Sequence, residues 1–110
     1  MSLELEIDVE ALRSIMGSDE DFLLLDCREP DEHAIARLER AQLIPMGQIP
    51  GRLAELEGYR QRRIVVLCHH GGRSLQVADW LRRQGFARAQ SAEGGIDAWA
   101  QRIDPALPRY

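Results

Sequence analysis

Four consecutive apolar residues, Ile64–Leu67, three of them β-branched, constrain this chain more than any other feature. A strand with no polar face has to be covered on both sides, and a parallel sheet with helices on each face is the usual way to do so. Phe22–Leu25 has the same continuous apolar character. Around these runs the periodicity becomes helical. Asp8 is placed to cap a helix carrying Val9, Leu12 and Ile15 or Met16. Pro30, Asp31 and Glu32 have the composition of a first helical turn. Leu53 and Leu56 mark a short helix after the Pro50, Gly51 turn, and a helix from about Ser74 buries Val77, Ala78 and Leu81 before stopping at Gly85. Weaker strands are read where Leu3, Leu5 and Ile7 alternate with glutamates, at Gln42–Ile44 and at Ala89–Ser91. A last helix follows Gly94 and Gly95 and carries Ile96 and Trp99. The alternation predicts an α/β fold, an open five-stranded parallel sheet with helices on both faces. Residues 1–110 are expected to form one domain, because 110 residues at 45% hydrophobic content supply one core.

Charge and composition exclude several functions. A net charge of −4 without a basic face argues against nucleic acid as a partner. All 14 basic residues are arginine, which removes Schiff-base catalysis and the lysine-containing phosphate loop. The opening MSLELEIDVE places glutamates where a secretory signal needs basic and then apolar residues, and no apolar run approaches the roughly 18 residues of a membrane span. The expectation is a cytoplasmic protein with no membrane partner.

In open parallel sheets, ligands gather beyond the carboxyl ends of the strands. Cys68 stands at such an end and is followed by His69, His70, Gly71, Gly72, Arg73 and Ser74. Adjacent glycines let successive backbone N–H groups turn inward as an anion-binding nest, and the helix that follows adds its positive end. With the permanent charge of Arg73 nearby, the thiol is expected to ionise below its free value of about 8.5. One loop can thus activate a nucleophile and bind an anionic substrate.

The run from Cys68 to Ser74 resembles the active-site loop of rhodanese-family sulfurtransferases, cysteine-x-x-glycine-x-arginine-serine/threonine. LLLDCREPDEHA (Leu23 to Ala34) is similar to that family's aspartate-x-arginine-glutamate segment, and EGGIDAW (Glu93 to Trp99) to its glycine-glycine-x-x-alanine-tryptophan segment. The resemblance implies transfer of sulfane sulfur. Cys68 takes the outer sulfur of a small anionic donor such as thiosulfate, holds it as a persulfide, and passes it to cyanide, a thiol or a sulfur-carrier protein. The N–H groups from His69 to Ser74 and the Arg73 guanidinium hold substrate and persulfide, with no cofactor and no metal. The tail DPALPRY is similar to tails of rhodanese domains fused to sulfur-carrier-activating enzymes. Two departures stand out. Residues Ala36 to Ala41 read ARLERA where the family has glycine-histidine-x-x-glycine-alanine, and Cys27 replaces a more usual valine.

Two rival readings are weighed against this one. A related cysteine phosphatase or arsenate reductase has five residues between cysteine and arginine; here four intervene, and Ser74 occupies the place of that arginine. A non-catalytic binding module of the same fold has no use for Cys68, Gly71 and Arg73 together. His69 and His70 are expected to line the mouth of the loop, since adjacent histidines rarely chelate one ion and His33 is remote in sequence. Cys27 reads as a core residue that would resolve a persulfide into a disulfide only if it lies near Cys68. Asp26 and Arg28 read as a bracing ion pair, Trp99 as a core anchor, and the arginines of LRRQGFAR as a solvated helix face.

Overall fold

A computed structural model describes residues 3–110. Five parallel strands form one sheet: β1 (Glu6–Ile7), β2 (Leu23–Asp26), β3 (Gln42–Leu43), β4 (Ile64–Leu67) and β5 (Ala89–Ala92), in the spatial order β1-β5-β4-β2-β3. The helices are α1 (Val9–Met16), α2 (Pro30–Ile35), α3 (Gly72–Arg83) and α4 (Gly95–Arg102). Two 3-10 segments, Met46–Gln48 and Pro50–Tyr59, lie between β3 and β4. The segment around Leu53 and Leu56 was expected as a helix and takes the tighter 3-10 form. The predicted strand at residues 3–7 is regular only at Glu6 and Ile7, although the Leu5 carbonyl still accepts from the Ser91 N–H at 2.7 Å.

β2, β4 and β5 are buried along their whole length, as their continuous apolar or small-residue character requires. Alternation along the strands then sorts side chains to two faces. Leu23, Leu25, Ile64 and Val66 join Ile44, Ile49, Leu56, Val77, Ala78, Leu81 and Phe86 beneath α3 and the longer 3-10 segment. Leu24, Val65 and Leu67 join Val9, Leu12, Ile96 and Trp99 beneath α1 and α4. The order of the sheet places β4 in the middle, between β5 and β2, so its carboxyl end opens into a crevice flanked by both neighbours.

The helix ends follow local chemistry. The Asp8 carboxylate accepts from the Ala11 N–H at 2.8 Å and caps α1. Pro30 opens α2, where the Glu32 carboxylate accepts from the Glu29 N–H at 3.1 Å. The segment Ala36 to Ala41 buries Ala36 and Leu38 against the α1/α4 face.

Candidate active site

The chain leaves β4 at Leu67 and turns into α3 through Cys68–Gly71. Gly71 has φ +103°, and a side chain there would meet the Gly94 N at 3.0 Å, so the turn requires glycine. This turn aims its amides at the sulfur. The Gly71 N–H donates to Cys68 Sγ at 3.1 Å and the Ser74 N–H at 3.3 Å. Ser74 Oγ lies 3.3 Å from the same sulfur and 2.7 Å from Ser91 Oγ. Its single proton goes to Cys68 when the sulfur is a thiolate, and to the Gly71 carbonyl, 3.2 Å away, when it is a thiol.

The loop is braced from below by α4. Its first amides donate to the loop carbonyls, Ile96 N–H to Cys68 at 2.9 Å and Asp97 N–H to His69 at 3.1 Å. A Cβ on Gly95 would overlap both of those carbonyl oxygens. The segment Gly94, Gly95 therefore allows the last helix to seat the Cys68–Gly71 loop.

Cys27 is the neighbour that sequence reading left conditional. Asp26 pairs with Leu67 in the β2/β4 register, and the Cys27 N–H donates to the Leu67 carbonyl at 3.0 Å, which sets Cys27 beside Cys68. Both side chains point to the α3 face, inside one buried cluster. The Cys27 thiol, acting as donor, is the largest cause that pulls the Cys68 pKa down to about 4; Ser74 and the two loop amides add to it, against the opposing effect of burial. The Cys27 thiol is pushed correspondingly far up by the same hydrogen bond and by burial. The pair thus rests as one thiolate, Cys68, and one thiol, Cys27.

Arg73 does not touch the sulfur. Its guanidinium forms a bidentate pair with Glu32, Nη1 to Oε1 at 2.6 Å and Nη2 to Oε2 at 2.8 Å. The arginine holds the Glu32 carboxyl down at about 2. Tyr110 joins the group: its hydroxyl donates to Glu32 Oε2 at 2.9 Å and accepts from Arg28 Nη1 at 2.9 Å, while its ring stacks on His69 at 3.8 Å between centroids. His69 is half-buried and His70 exposed, with their rings 3.8 Å apart. Gly72 is exposed in the first turn of α3.

Behind the site, Arg28 is fully buried and all five of its N–H groups are used. Nε and Nη2 meet the Asp26 carboxylate at 3.0 and 2.7 Å, Nη2 also reaches the Ala36 carbonyl at 2.7 Å, and Nη1 reaches Tyr110 and the Glu32 carbonyl, the latter at 3.3 Å. The predicted bracing pair is therefore the hub of a network joining β2, α2 and the carboxyl-terminal tail. Sequence reading missed Glu32 and Tyr110 as its members. Residues 41 and 82 positions apart supplied no local pattern, and only the acidic first turn of α2 marked Glu32 at all.

A central parallel strand that ends in an amide-held thiolate defines a class, the small α/β domains that present a cysteine on a strand-to-helix loop. Within it the chain belongs to the rhodanese-like domain family, whose model matches residues 8–102. A protein named sulfurtransferase from Allochromatium vinosum is 40% identical over 96 residues, covering 87% of this chain and 88% of that protein. Rhodanese-like/PpiC domain-containing protein 12 of Arabidopsis thaliana, a chloroplastic protein, is 39% identical over 112 residues and 96% of this chain, but this chain spans only 37% of its length. A crystal structure of a rhodanese-like domain protein from Staphylococcus aureus matches with a TM-score of 0.81 at 27% identity, covering 97% of this chain and 99% of that one. Among the described residues no helix is long and apolar enough to cross a membrane.

Proposed function

We propose that the chain is a sulfurtransferase that carries sulfane sulfur on Cys68. The observation that carries this reading is the Cys68 sulfur itself, which receives the Gly71 and Ser74 N–H groups at 3.1 and 3.3 Å just past the end of the central strand. The name of the Allochromatium vinosum relative supports it. In the first half-reaction Cys68 Sγ attacks the outer sulfur of an anionic donor such as thiosulfate. The donor's S–S bond breaks, sulfite leaves with the electron pair, and a Cys68 persulfide remains. In the second, a thiol, cyanide or a sulfur-carrier protein takes the outer sulfur, and Cys68 leaves as the thiolate that its surroundings already stabilise.

In this proposal the amides from His69 to Ser74 hold the donor and the persulfide, as substrate-binding groups. Arg73, oriented by Glu32, sets positive charge at the mouth of the loop rather than on the sulfur, and His69 and His70 line that mouth. Because Arg73 is turned toward Glu32, the loop lacks the cation directed into its centre that phosphoryl transfer relies on.

Incubation with thiosulfate followed by intact-mass measurement tests the reading. The expected result is a gain of about 32 Da at Cys68, the mass of one sulfur atom, absent in Cys68→Ser, which also loses thiosulfate:cyanide turnover. A wild-type chain that gains no mass from thiosulfate or from inorganic polysulfide refutes it.

A further inference from the structure

The second cysteine has a geometry that simple sulfur transfer does not need. Neighbouring strands in a sheet run about 4.8 Å apart, within the span of about 4.4 to 6.8 Å between the Cα atoms of a disulfide. Cys27 and Cys68 come directly after the last β2/β4 register pair, Asp26 and Leu67, the Cys27 N–H donates to the Leu67 carbonyl, and both side chains lie in the same buried cluster. Both are free and buried, at 0% and 1% exposure, so each has the other as its ready sulfur partner. The other donors to Cys68 come from the opposite flank. Ser74 is tied to Ser91 of β5, and Gly71 packs against Ala92 and Gly94, whereas Cys27 approaches from β2. A sulfur held on the β5 side of Cys68 therefore leaves the β2 side open to attack at Sγ, as an in-line displacement requires.

We propose that Cys27 is a resolving cysteine: its sulfur attacks Sγ of the Cys68 persulfide, expelling the outer sulfur as hydrosulfide and closing a Cys27–Cys68 disulfide. The step rests on the persulfide proposed above. The bond from Cys68 Sγ to the outer sulfur breaks, the Sγ–Sγ bond forms, and the departing sulfur takes the electron pair and the Cys27 proton. The sulfane sulfur is reduced by two electrons and the cysteine pair is oxidised by two. An external thiol or dithiol reductant then returns the pair to its starting state. The chain has two outcomes for a bound sulfur: transfer to an acceptor, or release as sulfide when no acceptor arrives.

The resting arrangement suits this role. Cys27 is held protonated because it donates to the Cys68 thiolate. Persulfidation moves the negative charge out to the terminal sulfur, which removes the group that kept Cys27 a thiol and supplies a base for its proton.

The test loads the full chain with thiosulfate, and in a second arm with inorganic polysulfide, removes the donor, and follows free sulfide together with alkylated intact mass and peptide maps. Wild type is expected to release about one equivalent of sulfide and to yield a Cys27–Cys68 linked peptide, with a dithiol restoring a second round. Cys27→Ala and Cys27→Val are expected to keep the added sulfur on Cys68 and to release sulfide at least about tenfold more slowly. A wild-type persulfide that lasts as long as the variants', with no linked peptide, overturns the inference and leaves the sulfurtransferase reading intact. If Cys68 of wild type takes up no sulfur from either donor, both fall. The wild-type peptide map decides the matter even where a variant fails to fold.

Discussion

β2 and β4 lie side by side, each four residues long and buried throughout, and each is followed at once by a cysteine pointing into the same core cluster. Their turns differ in which atom receives the backbone. After β2 the Arg28 N–H donates to the Asp26 carboxylate at 3.1 Å, so the local negative charge sits on oxygen and is matched by the Arg28 guanidinium. After β4 there is no carboxylate, and the turn amides of Gly71 and Ser74 go to sulfur. Two cysteines of equal burial therefore hold opposite protonation states. Burial alone does not set the chemistry of a thiol; which donors reach the sulfur does, here the Cys27 thiol first and then Ser74 and the loop amides.

The sharpest way to break this contrast is at the β2 end. Arg28→Leu leaves Asp26 buried without its counter-charge and is expected to cost about 3–5 kcal/mol, a large part of the stability of a domain this size. Urea unfolding measures it, and a loss below about 1 kcal/mol would show that the network is not the anchor described. At the β4 end, Gly71→Ala forces a side chain into a left-handed turn against Gly94, with an expected cost of about 1–3 kcal/mol. It should also slow iodoacetamide labelling of Cys68 at pH 6, because the amide no longer meets the sulfur. Equal labelling in the two proteins would remove the amides from the account.

Exchange between the two cysteines comes next. With the Cys68 pKa at about 4, wild-type labelling is expected to be level from pH 5 to 8, since the thiolate is already present throughout. Removing the Cys27 donor in Cys27→Ala raises that pKa, so labelling at pH 5 should fall about tenfold relative to pH 8, the ratio that 1.4 kcal/mol represents. A flat profile in the variant would assign the activation to the loop alone. The smallest effect is expected from Tyr110→Phe, which removes one hydrogen bond to Glu32 and one from Arg28 at the partly exposed rim. About 1 kcal/mol by thermal unfolding is the expected loss, with Cys68 labelling unchanged.

The parts of this molecule that were legible in its sequence are those fixed by short-range rules. Ile64–Leu67 and the run Phe22–Leu25 announced a parallel sheet because four apolar residues in a row leave no polar face, and the adjacent glycines Gly71 and Gly72 marked the turn after β4. The shorter strands were readable only in outline, since two residues such as Gln42–Leu43 carry no period. Arg73 was expected to hold substrate together with the loop amides; its pairing with Glu32, a partner 41 residues away, is a contact that no spacing rule announces. Cys27 was within reach of sequence reasoning: two cysteines, each directly after a four-residue buried strand, meet if those strands are parallel neighbours in register. That pairing depends on strand order, and no local pattern in β2 or β4 announces the order β1-β5-β4-β2-β3.

β5, the last of these five strands in chain order, occupies the second place in the sheet, between the first strand and the fourth. The helix behind it supplies the amides that fasten the Cys68 and His69 carbonyls. A chain that has been made as far as Cys68 but not yet through β5 and α4 has a sheet split in two and a loop with nothing to seat it. The Cys68 turn is therefore seated only once the chain has been made through α4, well after the cysteine itself.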